Sequence, residues 1–170
     1  MIWESHHWKE PLLEDRDYLL RFRISDSTTE KTLAGIEKRL FLSFYSIRKL
    51  IEAEKLTNAT CESKWKLFRH KKTSRVDRLN WHKIEEKYDL EKKEEAVRDL
   101  QWICNQIIHS FVFTPNFDEK GKLSGFYVST DRERNKFLYH LDRTSLFQIL
   151  KRVGTDYPSS SESHRDSKGD

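Results

Sequence analysis

Apolar residues recur at steps of three and four in some stretches of this chain and at steps of two in others, which separates helices from strands. The most regular stripe is Leu33, Ile36, Leu40, Phe44, Ile47 and Ile51, which predicts a helix over about 29–56, with Phe41 and Tyr45 widening its face. Ser27 or Thr28 can cap it, and Glu30 suits the positive end of its dipole. Roughly 28 residues at 1.5 Å each span about 40 Å, so this helix is either the spine of the domain or broken near Ser43. A shorter helix is predicted over about 11–23, with Pro11 near its first turn and Trp3 and Trp8 docking it on the core. A third runs over 91–109. Ala96, Leu100, Ile103 and Ile107 form its buried face, Glu91, Glu94 and Glu95 make its first turn acidic, and His109 stands where it meets a strand. A last helix opens at Asp142-Arg143-Thr144, carries Leu146, Ile149, Leu150 and Val153, and stops at Gly154.

Three aromatic and β-branched runs, 110–114, 125–129 and 136–141, read as strands. Their short connections imply an antiparallel meander. The expected fold class is therefore α+β: about four helices packed on one face of a three-stranded antiparallel β-meander. Phe126 and Val128, with Phe137, Tyr139 and Leu141, supply the covered face. One domain is expected over 1–155, followed by a disordered polar tail over 156–170.

Composition sharpens this picture. Of 170 residues 36% are hydrophobic and 35% charged, the net charge is +4 and the pI is about 9.0. No apolar run approaches the length of a membrane span, no signal peptide precedes the first helix, and Cys61 and Cys104 have no metal spacing. A reduced cytoplasmic protein with no membrane association, no cofactor and no metal is expected. Glycine-rich phosphate loops and nucleophile elbows are absent from the sequence. Glu4, His6 and His7 could bind a metal, but adjacent histidines do not ordinarily converge, so no site is predicted there.

The compositional anomaly is the stretch 64–83, where eight lysines and arginines face a single acid, Asp77, with Trp65, Phe68 and Trp81 interleaved. Lys and Arg neutralise phosphates, and exposed aromatics stack on unpaired bases. Binding of RNA or DNA through Lys64, Trp65, Lys66, Arg69, Lys71, Lys72, Arg75 and Arg78 is the first functional reading, in a protein of a bacterial accessory or defence locus. Trp65–Arg69 reads as a short strand and the rest as a loop.

A second reading is catalytic. His109 could move a proton, with Asn105 one helical turn behind it, and Arg132 or Arg134 could stabilise phosphorane charge, as in a metal-independent RNase. His140 is the other candidate. The string Arg134-Asn135-Lys136-Phe137-Leu138-Tyr139-His140 resembles the Arg–polar–spacer–His string of HEPN-type RNase toxins. That resemblance implies RNA cleavage by Arg134 and His140 on a helix, whereas the run itself reads as a strand. The third reading is a non-catalytic subunit that binds another protein. Nothing in the sequence sets the oligomeric state.

Overall fold

A computed structural model describes residues 2–158. The chain runs α1 (His6–Arg21), α2 (Glu30–Glu52), α3 (Asn58–Cys61), β1 (Lys64–Lys71), α4 (Ile84–Lys87), β2 (Glu94–Asp99), α5 (Leu100–Ile108), β3 (Ser110–Phe117), β4 (Leu123–Thr130), β5 (Phe137–Asp142) and α6 (Arg143–Gly154). The strands form one antiparallel sheet in the order β2-β1-β5-β4-β3. The α+β class stands. The sheet has five strands rather than three, and two single-turn helices, α3 and α4, join the four expected.

The four long helices share one sheet face. Ile36, Leu40, Phe44 and Ile47 of α2 meet Leu100, Ile103 and Ile107 of α5 over Leu67, Phe126, Val128, Tyr139 and Leu141. Phe44 stands edge-on to Phe126, with ring centroids 5.9 Å apart. The period-2 alternation of β4 and β5 thus supplies the covered face as expected. Helix α2 is unbroken at Ser43, whose hydroxyl donates to Asp15 of α1 at 2.9 Å. Its cap is Thr29 rather than Ser27 or Thr28, with Oγ1 accepting from the Thr32 amide. Helix α1 starts five residues earlier than predicted. Trp8 packs on the core, but Trp3 is 88% exposed and docks nothing.

The largest departure lies at 91–109. Only 100–108 is helical, and 94–99 is strand β2. Ala96 reaches the core from the strand, so it extends the apolar stripe of α5 without sharing its helix. The acidic run that suited a helix start instead faces the cations of β1, Glu94 opposite Arg69 and Asp99 opposite Lys64. Asp99 ends the strand and caps α5, its Oδ1 accepting from the Trp102 amide at 2.7 Å.

Asp156, expected in the polar tail, is tied to the domain. The Asp156 carboxylate accepts from the Thr57 amide at 2.9 Å, and its carbonyl accepts from the buried Lys9 ammonium, which also donates to the Lys55 carbonyl. The rest of the expected tail, 159–170, lies outside the described residues. Gly154 closes α6 rather than following it, and it packs on Leu13. Cys61 and Cys104 are free thiols, and burial pushes Cys104 well above its ordinary pKa. Among the described residues, no helix is long and apolar enough to cross a membrane.

Gly125 in β4 sits at φ +145°, where a Cβ would run into the Leu141 carbonyl and stand 2.8 Å from His140 Nε2. We expect Gly125→Ala to destabilise the fold by more than about 2 kcal/mol, from backbone strain and overpacking together. Urea denaturation checks this, and an unchanged midpoint would contradict the close approach of β4 and β5.

Candidate nucleic-acid interface

The second face of the sheet carries no long helix. The 22 residues between β1 and β2 (72–93) fold back over it instead. A short ladder closes the base of this excursion: the Thr73 amide donates to the Lys87 carbonyl at 2.8 Å, and Lys72 bridges Tyr88. Val76, Ile84 and Tyr88 then bury themselves against Val112 and Leu138. Polar bonds lock the excursion to the β4–β5 turn. The Val76 amide donates to Asn135 Oδ1 at 3.0 Å, Arg134 Nη1 donates to the Val76 carbonyl at 2.6 Å, and the Tyr88 hydroxyl donates to the Arg134 carbonyl at 2.7 Å. Burial pushes the Tyr88 phenol well above its ordinary pKa, so it remains a donor.

The tip of the excursion is built by its own side chains. Asp77 Oδ1 accepts from the Leu79 amide, and Asn80 Oδ1 accepts from the Asp77 amide, both at 2.9 Å. These asparagine and aspartate turns leave Leu79 87% exposed and Trp81 37% exposed. Trp81 stands edge-on to His82. Among the described residues, Lys72, Arg75 and Arg78 are exposed and form no ion pair, and the same holds for Arg132 on the adjoining turn.

The eight residues expected to bind nucleic acid therefore divide in two. On β1, Lys64 pairs with Asp99, Lys66 with Glu95, and Arg69 and Lys71 both with Glu94, at 3.0 and 2.9 Å. The Lys71 ammonium and the Arg69 guanidinium hold the Glu94 carboxyl below the usual range. Trp65 is buried, with its indole N–H donated to Ser63, and cannot stack on a base. Only Lys72, Arg75 and Arg78 keep both exposure and unmatched charge. Their segment is legible as basic, but the matching acids are about 30 residues away in sequence, so the division is not.

The five residues considered for catalysis lie in different surroundings. His109 is the exposed C-cap residue of α5, and Asn105 lies one turn behind it. Arg134 is fixed by Asp131 and Val76 and lies over the Phe111 ring, 3.9 Å from its centroid. Arg132 is exposed on the turn. His140 is in strand β5, as its run predicted, so the string that resembles the HEPN motif lies on a turn and a strand rather than a helix. Among the described residues, no side-chain hydrogen bond or ion pair joins any two of the five.

His140 has instead a partner that sequence reasoning missed. On the second face it stacks on Tyr127, centroids 4.6 Å apart, and His70 meets the same tyrosine edge-on at 5.8 Å. His70 is buried, and its Nδ1 donates to the Asp89 carbonyl at 3.2 Å. The Nε2 atoms of both histidines are buried without a protein partner. Only strand register could have revealed this pair, because its members lie on β1 and β5, far apart in the chain.

Burial, with His70 beside it, lowers the pKa of His140 from 6.5 to about 4. Asp142 opposes that shift and Lys93 adds to it. Above pH 6.5 both folded and unfolded chains hold this imidazole neutral. Between 6.5 and about 4 the unfolded chain takes up the proton and the folded one does not, so stability falls with pH through that window and levels off below it. The expected loss is roughly 2–3 kcal/mol, allowing for partial solvent screening. His140→Phe, which keeps a stacking ring, should lose this part of the pH dependence; urea midpoints from about pH 4 to 7 compare the two proteins. The chain matches no protein-family model, no curated protein and no solved structure, which leaves the exposed loop and its unmatched cations to carry the functional reading.

Proposed function

We propose that the protein binds single-stranded RNA or DNA through the tip of the 72–83 excursion and the β4–β5 turn beside it. The observation that carries this is the coincidence of unmatched, exposed Arg75 and Arg78 with outward-facing Trp81 and Leu79 on one hydrogen-bonded tip, with exposed Lys72 at its base. Cations that track phosphates, next to an aromatic platform for a base, form the usual combination for sequence-tolerant single-strand binding. Because its base is anchored in a buried cluster, the tip presents these groups already ordered, so binding costs little further conformational entropy. Arg132 extends the positive surface. The cations of β1 take no part, since each is already paired with Glu94, Glu95 or Asp99.

Titration with fluorescent single-stranded RNA and DNA at two salt concentrations checks this. Binding should weaken as salt rises. Trp81→Ala should raise Kd about 5- to 150-fold, in line with roughly 1–3 kcal/mol per stacked base. Arg75→Ala with Arg78→Ala should raise Kd and flatten the salt slope, by about 0.7 for each phosphate of the single strand that is no longer neutralised. Lys66→Ala, on β1, should change neither. Absence of binding at low salt would overturn the reading and leave the exposed Leu79–Trp81 tip to a protein partner.

A further inference from the structure

The N-terminal segment brings together Glu4, His6 and His7, whose adjacent histidines are not expected from the sequence to converge. Glu4 Oε2 lies 3.4 Å from His6 Nδ1 and 3.7 Å from His7 Nε2, and the three ligand atoms lie within 4.8 Å of one another. We propose that Glu4, His6 and His7 form a site for a divalent transition metal, with Zn²⁺ the best fit.

Three observations carry this. Four ligands held at about 2.0–2.1 Å in a tetrahedron stand roughly 3.3 Å apart, close to the spacings here. Direct hydrogen bonding does not explain the convergence, since among the described residues none of the three side chains makes a hydrogen bond. The His6 and His7 rings lie beside each other, centroids 3.8 Å apart, so that a ring nitrogen of each reaches the same Glu4 oxygen. A bound cation would let two imidazoles and one carboxylate share a common centre. Adjacent histidines converge because α1 begins between Glu4 and His7. His6 and His7 are on its first turn, while Glu4 lies in the approach to the helix and folds back over them.

The segment is held at both ends. Ile2 is buried in the main core, and the Ser5 carbonyl accepts from the Trp8 and Lys9 amides at 3.0 and 3.1 Å. The ligands themselves are solvent-facing. Two nitrogens and one oxygen from the protein, with a fourth position open to water, make the donor set of an accessible zinc site rather than a closed structural one.

Calorimetric titration of the full chain with Zn²⁺ tests this, with Co²⁺ absorption as a second readout of ligand geometry. One ion should bind per chain, with Co²⁺ giving the intense visible bands of a four-coordinate site. His6→Ala and His7→Ala should each weaken Zn²⁺ binding at least about 10-fold, since even outer partners of metal ligands are worth that much. Glu4→Gln should weaken it too, and His109→Ala, an exposed histidine elsewhere, should not. All these positions face solvent, so the variants keep the fold, which circular dichroism checks. Equal affinity in the His6 and His7 variants and the parent, or an equal loss in His109→Ala, would overturn the site.

Discussion

Strand β5 is covered on both faces, and the rest of the molecule is placed by that fact. Tyr139 and Leu141 point into the helical layer, while Leu138 and His140 point under the excursion between β1 and β2. An antiparallel sheet can leave one face in water, but here Leu138 and Val112 put apolar area on the second face too, and burying it is favourable. Four helices satisfy one row. The other is satisfied by a loop, and that loop must then be long, anchored at its base and tied across to the β4–β5 turn. The exposed tip with Arg75, Arg78, Leu79 and Trp81 is a consequence of this covering role. It is the part of the lid that extends past the residues it buries.

The pairing of β1 with β2 sets which charges remain available. A run of cations on one strand lies opposite Glu94, Glu95 and Asp99 on the next, and cross-strand pairs of opposite charge favour that register. The same matching removes these cations as ligands for an external polyanion. What distinguishes Lys72, Arg75 and Arg78 is that they lie beyond the β1–β2 pairing, so no acid of β2 stands opposite them. A basic segment that looks continuous in sequence thus becomes an ion-paired strand followed by an unmatched loop.

Two kinds of histidine emerge from the fold. His70 and His140 are brought together from strands β1 and β5 around Tyr127, where burial makes a proton on His140 costly. His6 and His7 are neighbours in sequence, and the start of α1 aims both at Glu4 in solvent. His140 of the first pair ties fold stability to pH, and the second pair offers lone pairs to a cation. His109, whose place at a helix end suits a catalytic base, ends α5 without a side-chain partner among the described residues.

Local period determined much of this protein by itself. The stripe of α2, the alternation of β4 and β5, the capped start of α6 and the short turns of the meander are all set by residues within a few positions of one another. Tertiary structure alone decided the remainder. Glu94–Asp99 is equally consistent with a helix start and an edge strand, and the cations of β1 settle it by offering both a hydrogen-bond ladder and opposite charge. The division of the basic segment, the burial of Trp65 and the meeting of His70 with His140 all depend on register between strands far apart in the chain. A one-residue slip would send each of those side chains to the opposite face.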